Sequence, residues 1–190
     1  MATAARAETE GSGKRDLKRF VIPGLIAALV VAIAMAGALG LLLARESEVE
    51  PSEVGSFMAE AKPEVEDRVV EVVNLLTNYD ATDIDQVVER MLEITTGSFR
   101  EDYGETFEQG FAEAIKEAST SARGQILTGP DVSFRSPDEA VAVLRVEQTI
   151  QNNRLPEGRS YIDVMQITLI NTADGGWKAD RVEILGGQES

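Results

Sequence analysis

The stretch AVAVLRVEQTIQ (Ala140–Gln151) repeats with a period of two. Ala142, Leu144, Val146 and Ile150 fall on one side and polar residues dominate the other, the pattern of a half-buried strand. Downstream, SYIDVMQITLIN (Ser160–Asn171) is apolar on both faces and reads as a long interior strand. ADGG (Ala173–Gly176) is a turn, and WKADRVEIL (Trp177–Leu185) is the last strand. NNRLPEG (Asn152–Gly158) reads as the loop between the two long strands. Upstream, GQILTG and DVSF read as two short strands around a Gly129–Pro130 turn.

Before Ala118 the period changes to 3.6. Val65, Val69, Val72, Val73 and Leu76 recur at helical spacing behind Pro63, which suits a first helical turn. This helix is expected to end near Thr77–Tyr79. Ile84, Val87, Val88 and Met91 mark a second helix, with Asp83 and Gln86 as a capping box. Gly97 suits its stop. Ser98 and Glu101 form another capping box ahead of a third helix, on which Phe99, Tyr103, Phe107, Phe111 and Ile115 stand four apart. Such a ridge is ordinarily core. Asp80, Asp83 and Asp85 invite a calcium reading, but the loop lacks the required glycine and closing glutamate. Three helices followed by about four antiparallel strands predict an α+β domain, with the helices on one face of a curved sheet.

The front of the chain differs. Phe20–Ala44 is an uncharged run of 25 residues. As a helix it would extend roughly 37 Å, enough for a hydrocarbon core of about 30 Å. Lys14, Arg15, Lys18 and Arg19 precede it, and Glu46, Glu48, Glu50 and Glu53 follow Arg45. That asymmetry places the N-terminus in the cytoplasm and the rest outside a plasma membrane crossed once. A removable signal, cleaved after Ala36 within AMAG, is the competing reading; the apolar run continues through Leu43, which favours an anchor. Within the run, Gly24, Ala28, Ala32, Ala36 and Gly40 stand four apart, a groove down which another helix could pack. The expected organisation is a basic tail (1–19), a transmembrane helix (20–44), a loosely packed acidic stalk (45–62) and a domain outside (63–187).

The chain has no cysteine and no histidine. The outer domain must therefore stand without disulfides, and histidine-dependent triads and metal sites are excluded. The first 44 residues carry a net charge of +2 and the remainder −17, which argues against nucleic acid as a partner. No metal or other cofactor is expected.

Several stretches together resemble the Mce-associated membrane proteins of actinobacteria. VVNLLTNYDATDIDQVVERMLEITTGSFREDY (Val72–Tyr103) is similar to that family's segment joining a helix end, an acidic linker, a helix and a Thr-Gly turn. DEAVAVLRVEQT resembles its first long strand, and GGWKADRVEIL its closing strand. The resemblance implies a cone-shaped domain of the nuclear transport factor 2-like (cystatin-like) kind. It also implies a non-enzymatic accessory or stabilising role in an Mce/ABC-type lipid or sterol importer of the cell envelope, with that importer's membrane subunits, and lipid, as partners.

Two other functions stay open. A cone can hold an apolar ligand or host acid–base chemistry; Tyr161 and Asp163 stand two apart on one strand face, and Tyr103, Phe107 and Trp177 are further candidates for lining a cavity. For Trp177, plugging the end of the core is the more ordinary role. Single-pass proteins with such an outer domain also serve as scaffolds of secretion or conjugation channels. No catalytic residue is assigned.

Overall fold

The computed structural model describes residues 51–173 and 176–189. The tail, the run 20–44 with its small-residue stripe and the first part of the stalk (45–50) lie outside the described residues. Among the described residues, no helix is long and apolar enough to cross a membrane.

The chain opens with α1 (Pro51–Thr77), continues through β1 (Tyr79–Asp80), α2 (Ile84–Ile94), α3 (Gly97–Thr106), a π-helical turn (Phe107–Phe111) and α4 (Ala112–Ala118), then forms β2 (Ser121–Ser136), β3 (Glu139–Asn152), β4 (Leu155–Asn171) and β5 (Trp177–Glu189). The strands form one antiparallel sheet in the order β1-β2-β3-β4-β5. The α+β class and the helices-then-strands order match the sequence reading. The sheet has five strands rather than about four, because two residues after α1 pair with Ala122 and Ser121.

Period-two alternation places Ala140, Ala142, Leu144 and Val146 of β3 opposite Leu169, Ile167, Met165 and Asp163 of β4. Most of these are buried and meet Val65, Val69, Val72 and Val73 of α1, with Met91 and Phe99, in one core. Burial on this scale, at about 1.5–3 kcal/mol per large side chain, is what holds helices to sheet. A second cluster joins Tyr79, Ile84, Val87, Ile115 and Ala122 where α2 and α4 cover the start of β2.

The structure departs from the sequence reading at five places. Helix α1 begins at Pro51 rather than Pro63, and Ala61, expected in a loose stalk, is in the core. Pro63 lies inside the helix on its exposed side. Ala59, whose carbonyl loses its helical partner to Pro63, is itself an exposed residue, where solvent can satisfy such a group. Second, the expected capping boxes are not formed. Asp83 precedes α2 but makes no cap; its Oδ1 accepts from Asp80 N at 2.8 Å, while Asp80 Oδ1 accepts from Thr82 N and Oγ1. These acids tie a turn together. Third, β2 is continuous through Gly129–Pro130, absorbing that pair as a bulge between Thr128 and Asp131. Fourth, Asn152 pairs with Leu155, so a tight hairpin replaces the expected loop and Leu155–Ser160 belong to β4.

Fifth, Gly97 begins α3 rather than stopping α2. Thr95 bridges Ala179, and Thr96 N donates to Ala179 O at 2.9 Å, so the extended chain is pinned along the edge of β5. Gly97, at φ +55°, turns it into the helix, and a side chain there would overlap the Asp180 carboxylate.

Candidate functional site

Between the helices and the sheet lies a cavity of about 100 Å³. One wall is the aromatic ridge of α3 and the π turn. Phe99, Tyr103, Phe107 and Phe111 stack in sequence, with ring centroids 5.7, 4.6 and 5.2 Å apart. The last four-residue step, from Phe107 to Phe111, crosses a turn in which Gly110 sits at φ +95°. Gly110 has non-helical backbone angles, so the chain kinks here between α3 and α4. The floor is the sheet, with Gln148, Asp163, Met165, Val182 and Ile184; the end is closed by Leu75, Leu76, Thr77 and Tyr79, where α1 passes into β1.

The polar groups of the lining divide into two sets. Thr77 Oγ1 donates to Val73 O at 2.7 Å, and Thr106 Oγ1 to Asp102 O at 2.8 Å. Gln148 Nε2 lies 3.4 Å from the carbonyls of Leu76 and Thr77, capping the end of α1. These groups are spent on the fold. The hydroxyls of Tyr79 and Tyr103 and the carboxylate of Asp163 make no hydrogen bond among the described residues. Burial pushes the Tyr79 hydroxyl up to about 12 and raises Tyr103 as well, the latter with a smaller contribution from Tyr79. Burial also holds the Asp163 carboxyl above the usual carboxylate range. Asp163 is half-buried, and its carboxylate lies over Gly187, where any side chain would displace it.

Of the residues expected to line a cavity, Tyr103, Phe107 and Asp163 do so. Tyr161 does not: it shares a strand face with Asp163 but lies one step further along, opposite Gln148. The Tyr161–Asp163 pair is therefore not brought together in the cavity. Trp177 is not in the lining either. It is buried at the far end of the sheet, edge-on to Phe134 with centroids 5.8 Å apart, and plugs the core there. The sequence reading missed Tyr79 and Gln148. Gln148 had a signal: it is the polar interruption on the inward side of β3, between Val146 and Ile150. Among the described residues, no group of three or more His, Cys, Asp or Glu side chains could hold a metal ion.

No protein-family model and no curated protein sequence matches the chain. Solved structures do match in shape. A Salmonella enterica protein of the nuclear transport factor 2-like superfamily matches with a TM-score of 0.50 at 9% identity, over 68% of this chain and 92% of that one. The fold is nuclear transport factor 2-like. An IcmL-like type IV secretion system protein of Legionella pneumophila shares it, with a TM-score of 0.51 at 9% identity over 68% of this chain and 91% of the other. So does the VirB8 protein of Agrobacterium tumefaciens, with a TM-score of 0.50 at 12% identity over 69% and 94%. At these identities the likeness concerns the fold and leaves the activity open.

Proposed function

We propose that this chain is a non-enzymatic, membrane-tethered accessory or stabilising subunit of an Mce-type lipid or sterol import complex in the cell envelope. The observation that carries this reading is the course of α1. The helix starts six residues after the uncharged run Phe20–Ala44, and from Ala61 onward it is part of the domain core. A helix that begins soon after a candidate membrane run and continues into the domain core suits a part that positions other parts.

A scaffold role in a secretion or conjugation machine is the second reading. It draws on the printed descriptions of two fold neighbours, the IcmL-like protein and VirB8. One experiment separates the two. The tagged full chain is recovered from native membranes in mild detergent and its companions are identified by mass spectrometry. Mce or permease subunits support the importer; secretion ATPase or pilus subunits support the scaffold; neither set refutes both. Ala32→Leu and Ala36→Leu should preserve membrane insertion while lowering recovery of the companions, if the small-residue stripe is the packing surface.

A further inference from the structure

Three polar groups face one apolar cavity without a protein partner: the hydroxyls of Tyr79 and Tyr103 and the carboxylate of Asp163. Buried polar groups in folded proteins are ordinarily satisfied, and those left over at a cavity wall mark where a bound molecule or water completes the set. The hydroxyl protons of Thr77 and Thr106 and the amide nitrogen of Gln148 are spent on helix carbonyls, which leaves these three groups, with Gln148 Oε1 as a further acceptor, to a ligand.

We infer that the cavity is a binding site for a small apolar molecule, one ring or a comparable chain end, that carries a hydroxyl group. The volume sets the size. About 100 Å³ is somewhat less than the cavities that take up benzene, so a single six-membered ring fills it with slight movement of one wall. The wall with room beside it is the kink at Gly110, which has no neighbour within 4 Å of where a side chain would begin. Phe107 and Phe111 on either side of that glycine supply aromatic faces to the ring.

The three polar groups set the head group. Asp163 is an acceptor, and the tyrosine hydroxyls can donate. A hydroxyl answers both: it donates to the carboxylate and accepts from a phenol. A ketone could only accept, which leaves the Asp163 carboxylate unanswered. A carboxylate or phosphate head would face Asp163 with like charge, and no Lys or Arg lines the cavity to offset it. The inference does not depend on which assembly the chain joins.

The test uses the full chain in detergent micelles and three fluorinated probes observed by ¹⁹F NMR. 4-Fluorophenol carries the head group, 4-fluoroanisole has its donor methylated, and 4-fluorobenzoate is an anion. The expected result is saturable binding of 4-fluorophenol, with 4-fluoroanisole about tenfold weaker or more, the cost of a hydrogen bond to a charged group. 4-Fluorobenzoate should not bind. Ile184→Phe fills the cavity from the sheet side and should abolish binding. Asp163→Asn and Tyr103→Phe preserve shape and should each weaken 4-fluorophenol by about threefold or more. Thermal melts of all variants establish that they are folded. Equal binding of phenol and anisole, or binding that survives Ile184→Phe in a folded protein, overturns the site, because partition into micelles then explains the signal. Binding lost in Ile184→Phe but unchanged in both Asp163→Asn and Tyr103→Phe overturns the hydroxyl assignment.

Discussion

Replacing Gly97 with alanine tests how the edge of β5 and the start of α3 are locked together. Two penalties fall on the new methyl group. The backbone sits at φ +55°, where an L-residue costs about 1–2 kcal/mol. The methyl would also occupy the space of Asp180 Oδ1, forcing that side chain out of a partly buried position at about 1–3 kcal/mol. Together they amount to about 2–5 kcal/mol, a fall in melting midpoint of roughly 7–18 °C for a domain of this length. The reasoning is checked by a double-mutant cycle, because only the second penalty depends on Asp180. In an Asp180→Ala background the overlap disappears, and Gly97→Ala should cost only the backbone share, roughly 3–7 °C. Thermal melts of the four proteins, followed by circular dichroism, give the result. A Gly97→Ala midpoint within about 1 °C of the parent refutes both penalties. Equal losses in the two backgrounds refute the overlap.

Phe99→Ala should destabilise by about 3–5 kcal/mol, since the ring is buried at 2% exposure and anchors the aromatic ridge; urea denaturation measures it. Gly124→Ala should cost about 1–3 kcal/mol, because the added methyl overlaps Thr77, whose hydroxyl is tied to Val73 O. Asp163 is raised by burial, so the folded protein binds this proton more tightly than the unfolded chain does. Stability is then lost as pH rises from the unfolded value through the folded one. Asp163→Asn should accordingly match the parent in acid and gain on it as pH climbs above the usual carboxylate range; parallel melting midpoints that keep a constant offset from acid to neutral pH refute this.

Long-range periodicity was legible in the sequence, whereas chain reversals were not. The ridge from Phe99 to Phe111 and the alternation of β3 were read correctly because each repeats over many residues and packing enforces the repeat. The short features failed wherever a tertiary partner overrode a local signal. Asp83 has the form of a cap, but the nearby Asp80 amide claims its oxygen. Gly97 has the form of a stop, yet what it answers is Asp180, 83 residues away in sequence. The glycine and proline at 129–130 signal a turn, but pairing with β3 on both sides carries the strand through as a bulge. Of the cavity, the aromatic wall and Asp163 could be anticipated. Tyr79 could not, because its role follows from pairing with Ala122 across a two-residue strand that no periodicity marks.

The length of α1 has a mechanical meaning. Its 27 residues make a rod of roughly 40 Å, but only the part from Ala61 onward is clamped by the core. The leading part, whose side chains from Gly55 to Glu60 are mostly exposed, projects as an outrigger of roughly 15 Å. A flexible tether would let the domain wander; an outrigger continuous with a clamped helix converts any tilt or rotation at its free end into rotation of the whole sheet and its cavity.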